Sequence, residues 1–213
     1  MLRAQALSSR SSRPWARALV GVAILVVGAC ASHPSAPGWV TLLDGAKPNT
    51  LENWNRVGVD NWRLQDGAIV AASSPMPGST FLVTKEAYGD FEIRAQVWVD
   101  PDTNSGIFLR CQHPEAISVN SCYEMNIWDT YKVQYYATGS IALFAKVDPV
   151  PKAGNKWSTF DITARGGHIR VSMDGRLTVE LDDKTYASGP IALQWGGGGI
   201  VKWRKVDVRR LSP

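Results

Sequence analysis

Apolar and polar residues alternate with a period of two along most of the chain, and turn-forming residues punctuate the alternation. Phe91, Ile93, Ala95, Val97 and Val99 form one apolar row and Glu92, Arg94, Gln96 and Trp98 the opposite one, as in a strand covered on one face. Residues 62–70 read as two short strands joined at Asp66-Gly67, a dipeptide that tolerates positive φ and favours a tight hairpin. The device recurs at Asp174-Gly175, between apolar-alternating residues 169–173 and 177–181. Further strands are predicted over residues 79–84, 134–136, 141–145, 157–164, 191–195 and 201–209. Many short strands with no helical segment between them predict an all-β antiparallel sandwich or barrel, and the length suits a two-sheet jelly roll. No repeat of fixed period appears, which argues against a propeller or β-helix.

The first 29 residues differ from the rest: they carry Arg3, Arg10, Arg13 and Arg17, no acid, and an apolar run over residues 18–27. That pattern is a secretory signal, and its run is short for spanning a bilayer, which takes about 20 apolar residues. The run ends in Val27-Gly28-Ala29-Cys30, which resembles the bacterial lipobox. The resemblance implies cleavage before Cys30 and lipid attachment to it, and the absence of Asp after Cys30 implies an outer-membrane location facing the periplasm. The expected organisation is a signal peptide over 1–29, a lipidated Cys and flexible tether over 30–38, and one domain over 39–211. Without the four arginines of the signal, 19 of the 23 Lys and Arg residues remain against 19 acidic ones. The body is therefore formally neutral, and no basic excess points to nucleic acid.

With Cys30 committed to lipid, Cys111 and Cys122 are the remaining thiols in an oxidising compartment, where a disulfide between them is expected. A metal site built with His113 lacks a CxxC spacing or a second nearby His, so no cofactor or metal is identified.

The two segments flanking this Cys loop, NSGIFLRC over 104–111 and CYEMNIWD over 122–129, carry the candidate chemistry. By parity Ile107 and Leu109 point to the core while Gly106, Phe108 and Arg110 share the other face. Tyr123, Met125 and Ile127 are apolar, and Glu124, Asn126 and Trp128 share the opposite face. Paired as a hairpin, the strands would bring Arg110 near Glu124. Cys111 has core parity but Cys122 has that of Glu124, so at least one strand must bend or end before its Cys. Arg110 and Glu124 are either ligand-contacting or a cross-strand ion pair, and an Arg neighbour would keep a Glu ionised but weaken it as a base. Trp128, Tyr131, Tyr135, Tyr136 and Trp195 offer flat faces for sugar C–H groups, and Asn126 and Gln194 could bind hydroxyls. Asp129 is a candidate second carboxylate if the strand ends at Trp128, and His113 is a further candidate in the Cys loop.

Gly38-Trp-Val-Thr-Leu-Leu-Asp-Gly, Trp62-Arg-Leu-Gln-Asp-Gly-Ala-Ile-Val, Tyr88-Gly-Asp-Phe-Glu-Ile, Asn104-Ser-Gly-Ile-Phe-Leu-Arg, Tyr123-Glu-Met-Asn-Ile, Gly189-Pro-Ile-Ala-Leu-Gln and Val201-Lys-Trp-Arg-Lys-Val occur in this order. The ordered set resembles the 3-keto-disaccharide hydrolase family over about residues 38–211. The resemblance implies a concanavalin-like, laminin-G-like jelly roll whose concave sheet faces a carbohydrate, and cleavage of 3-keto-glycosides. In such a sugar the C3 ketone makes the C2 hydrogen removable by a base, after which the C1 substituent can leave. The chemistry needs a base, here Glu124, and a group steadying the enolate, here Arg110. The rival reading is a lipid-anchored carbohydrate-binding module without catalysis. One departure weakens the enzyme reading: many members follow Leu-Gln with an acidic residue and a His, where this chain has Leu193-Gln194-Trp195-Gly196. The glycines 196–199 read as a tight turn that leaves room over the concave face.

Overall fold

The computed structural model describes residues 38–72 and 78–212; Cys30, its signal and most of the tether lie outside them. Thirteen strands follow in chain order: β1 (Trp39–Asp44), β2 (Trp54–Gly58), β3 (Arg63–Gln65), β4 (Ala68–Ala71), β5 (Thr80–Thr84), β6 (Phe91–Val99), β7 (Ser105–Leu109), β8 (Tyr123–Ile127), β9 (Trp157–Arg165), β10 (His168–Met173), β11 (Arg176–Asp182), β12 (Ala192–Trp195) and β13 (Val201–Arg210). The only helical turns among the described residues are two short 3-10 segments, Thr50–Asn53 and Gln134–Tyr136.

All strand pairs are antiparallel and form two sheets. The larger runs β11-β10-β9-β6-β13-β4-β3, with β1 also on β13, and the smaller runs β2-β5-β12-β7-β8. Alternation explains their stacking. Ile93, Val97, Phe160, Ile162, Trp203 and Val206 of the larger sheet share one buried cluster with Leu82, Ile107, Leu109, Met125, Ile127 and Leu193 of the smaller. Both predicted hairpins form, with Asp66 and Gly67 at φ 50° and 71° and Asp174 and Gly175 at 50° and 79°.

Four segments differ from the sequence reading, the first being β1, which it does not assign as a strand. Residues 134–136 form a 3-10 turn, and residues 141–145 make only isolated bridges, Met125 to Ile141 and Ile141 to Ala145. Their apolar side chains pack in a loop alongside β8 rather than alternating across a strand. β2 escapes the pattern because Asn55, Arg56 and Gly58 are exposed at the sheet edge and dilute its alternation.

Candidate functional site

The smaller sheet has a second face, opposite the shared core, and register assigns its side chains. One cross-strand row runs Glu124, Phe108, Ala192, Val83, Asn55, and the next runs Asn126, Gly106, Gln194, Phe81, Val57. Cys111 and Cys122 form the expected disulfide and belong to the apolar cluster on this face, with Phe81, Val83, Phe108 and Ala192.

Arg110 resolves the parity conflict between the two cysteines. It directly follows β7 with φ 52°, a left-handed conformation that a side-chain-bearing residue adopts at a cost. That single residue re-phases the chain, so Cys111 turns to the same face as Cys122 while the Arg110 side chain leaves it. The expected meeting of Arg110 with Glu124 therefore does not occur; Phe108 stands opposite Glu124 instead. The Arg110 guanidinium is fully buried and donates to Gly89 O at 2.9 Å, Gly166 O at 2.8 Å, Tyr186 O at 3.1 Å and Asp90 Oδ1 at 3.3 Å. It ties the end of β7 to the entrance of β6 and to the β9–β10 turn, joining the two sheets. Burial pulls its pKa down and the Asp90 carboxylate opposes that shift.

Glu124 is in the opposite situation. The residue is 4% exposed, and its carboxyl makes no hydrogen bond or ion pair among the described residues. Burial alone lifts its pKa from 4.5 to about 8. The side chain leans over Gly106, where a Cβ would come within 3.0 Å of both Glu124 Oε1 and the Met125 carbonyl. Gly106 is thus the vacancy that accommodates the carboxyl, and an isolated Gly inside a strand pattern is the sequence signal for such an approach.

Two amides flank the same glycine. Asn126, 2% exposed, donates Nδ2 to the Tyr136 carbonyl, which fixes its orientation and leaves Oδ1 buried without a partner. Gln194, 7% exposed, also has a buried Oε1 without a partner. An unpartnered buried polar atom costs about 1–3 kcal/mol, and of the six such side-chain atoms among the described residues two, both amide oxygens, belong to the residues on either side of Gly106. At the outer edge Trp128 is half-buried and stacks on Tyr131 at 4.3 Å, and Tyr131 meets Tyr136 edge-on at 5.9 Å. Tyr135 is exposed beside them.

Three other predicted residues lie elsewhere. Trp195 has the parity opposite to Gln194; it is buried in the core and donates Nε1 to Gly199 O at 2.8 Å. Asp129 accepts from Ala153 N, Gly154 N and Thr138 Oγ1, stapling two loops behind the edge. His113 is exposed on the disulfide loop, 3.8 Å from Glu115. Gly196–199 form the expected tight turn, with Gly197 and Gly198 at positive φ, and it packs on residues 102–104, where a Gly198 Cβ would meet Asp102 O at 2.4 Å. No group of three His, Cys, Asp or Glu side chains is placed to hold a metal among the described residues.

The two sheets and this face define a jelly roll of the galectin-like type. The chain belongs to the 3-keto-alpha-glucoside-1,2-lyase-like domain family, whose pattern it matches over residues 38–209. It is similar in fold to two proteins from Parabacteroides distasonis ATCC 8503, each a "putative glycosyl hydrolase". One is 23% identical with a TM-score of 0.66, over 81% of this chain and 99% of that one. The other is 16% identical with a TM-score of 0.67, over 82% and 95%. The carbohydrate binding module CBM66 from Bacillus subtilis shares the fold at 15% identity and a TM-score of 0.55, over 81% and 95%. No curated protein sequence matches the chain significantly. Family membership supports a carbohydrate-acting function.

Proposed function

We propose that this domain cleaves 3-keto-glycosides by C2 deprotonation, with Glu124 as the base. The observation that carries the reading is a buried carboxyl without a partner, its pKa pushed up to about 8, leaning over a glycine whose two cross-strand neighbours, Asn126 and Gln194, hold amide oxygens that lack donors. A base works best when its pKa lies near the operating pH, and a raised pKa makes the ionised carboxylate a stronger proton acceptor. The carboxylate takes the C2 proton, the C–H pair becomes the C2–C3 double bond and the ketone pair moves onto the C3 oxygen. The ketone then re-forms, the C2–C3 pair becomes a C1–C2 double bond, and the C1–O bond breaks with its pair on the departing oxygen. The Glu124 carboxyl then returns the proton to that oxygen, and water adds across the unsaturated sugar by the reverse sequence.

Arg110 is engaged elsewhere, so the task of steadying the enolate falls to the amide of Gln194, whose NH2 can turn toward the ketone oxygen. Asn126 Oδ1 accepts a sugar hydroxyl, and Trp128 with Tyr131 forms the edge against which the ring rests. Because Glu124 is almost fully covered, a sugar reaches it by displacing part of the cover beside β8. That burial favours the second reading, a carbohydrate-binding module in which Glu124 is a neutral hydrogen-bond donor. Lipid attached to Cys30 would hold the domain at the outer membrane facing the periplasm, and Cys30→Ala would move it from the membrane to the soluble fraction.

The test is incubation of the mature protein and its Glu124→Gln variant with 3-keto-sucrose, 3-keto-glucosides and ordinary disaccharides. Cleavage of the keto sugars alone, lost in the variant, is the expected result. Sugar binding without turnover in either protein would leave the module reading in its place.

A further inference from the structure

Phe81, Val83, Phe108 and Ala192 point outward from the same sheet face as Glu124, yet all four are buried. Their cover is the disulfide loop, residues 112–121, which lays Ile117 and Val119 on them. The loop is closed on itself by Gln112 N, which donates to Ser121 O at 2.9 Å, and tied to its surroundings by Tyr186 Oη to Asn120 O at 2.6 Å and Gln112 Nε2 to Arg110 O and Ser188 O at 2.7 and 3.0 Å. The face is therefore divided. The row that begins at Glu124 is apolar and roofed from Phe108 through Ala192 to Val83, whereas the neighbouring row stays polar through Gly106 to Gln194 before reaching Phe81.

We propose that the Cys111–Cys122 loop is a fixed stop that limits this site to a single terminal sugar unit, the rest of the ligand leaving along the Trp128 side. The inference rests on the reading of this face as the sugar site. A glycan chain lying across the strands would have to run over β12 and β5, and there the apolar roof occupies its path. Displacing the roof exposes four apolar side chains and breaks the anchoring bonds without offering hydroxyls any polar partner. The substrate class is thus a short glycoside, or a longer one that carries its keto unit at the chain end.

The experiment uses the oxidised mature protein and gluco-oligosaccharides of two to six units oxidised at C3 of either the terminal or an internal unit. Binding is followed by calorimetry on the Glu124→Gln protein and cleavage on the wild type. Terminal-keto ligands are expected to bind within about twofold of one another whatever their length, and internal-keto ligands about tenfold or more weakly. An Ile117→Ser, Val119→Ser variant that keeps the disulfide is expected to narrow that gap. Affinity that tightens severalfold with each added unit, or equal binding of internal-keto chains, would overturn the stop. The wild-type length profile decides even where the double variant does not fold. A flat profile without turnover keeps the stop and removes the cleavage reaction, turnover with a rising profile does the reverse, and no binding of any length removes both.

Discussion

Arg110 and Glu124 sit near the facing ends of neighbouring strands, both with ionisable groups almost entirely out of water, and their surroundings are opposite. Arg110 spends its donors on three backbone carbonyls and Asp90. Glu124 has no partner, and the amide oxygens of Asn126 and Gln194 on its face lack donors as well. Burying a polar group is costly unless its hydrogen bonds are made. A group that is buried and saturated is explained by the stability it brings; one that is buried and unsatisfied asks for something else, and a ligand rich in hydroxyls supplies what this face lacks. The comparison separates a structural clamp from a candidate site more sharply than residue type does.

The strongest way to break it is Glu124→Gln. Loss of a general base is expected to lower turnover of 3-keto-glycosides by about 10²–10⁴-fold. In the wild type, kcat/KM is expected to climb with pH until the carboxyl has ionised, near 8 in the free protein, and to level off above it. The same substitution should stabilise the fold. The folded pKa of about 8 lies above the ordinary 4.5, so the stabilising contribution is full below 4.5 and is lost as the pH rises through 8. Denaturation of the two proteins across that window should therefore show the Gln form level with the wild type at low pH and more stable at pH 8, by at most about 5 kcal/mol. Coincident stability curves would mean that Glu124 is solvated and would remove the basis of the comparison.

Arg110→Met tests the other side. Three carbonyls would lose their donor at once, and the expected cost is about 3–5 kcal/mol in chemical denaturation. Turnover per folded molecule should change little. Arg110→Lys should recover only part of the stability, because one ammonium cannot reproduce the spread of a guanidinium. Loss of turnover with unchanged stability would return Arg110 to the site and make the sequence pairing right.

That pairing shows where the sequence is legible. Strand alternation assigns Gly106, Phe108, Glu124 and Asn126 to one face and Ile107, Leu109 and Met125 to the other, because period two is a property of extended backbone. It fails at Arg110, where one left-handed residue shifts the phase by half a period. The mismatched parity of Cys111 and Cys122 already signals that shift. Trp195 fails for a different reason: an aromatic residue offers the same flat face to a core as to a sugar, and its parity, opposite to Gln194, decides between them. The roles of residues 112–121 and 137–145 are not legible, since they depend on loops returning to a sheet from outside any periodic element.

Asp129 extends the comparison at smaller scale. Like Arg110 it is buried and satisfied, by two backbone amides and the Thr138 hydroxyl. Asp129→Asn places an NH2 opposite the amides or loses the hydroxyl, at an expected cost of about 1–3 kcal/mol in thermal or urea unfolding. A raised KM with unchanged stability would make it a sugar ligand instead.

His113→Ala should do least. Its ring is exposed, as is its partner Glu115 at 3.8 Å, and such a pair contributes little in high dielectric. Stability should stay within about 0.5 kcal/mol of the wild type and turnover should not change. His113 and the disulfide loop's apolar residues share one short segment but not one role: Ile117 and Val119 reach the sheet, and His113 points to solvent. A fall in turnover on its removal would mean that the exposed rim of the loop closes onto bound sugar. The loop would then be a participating wall rather than a passive roof, and the unsatisfied amides beside Gly106 would be only part of the site.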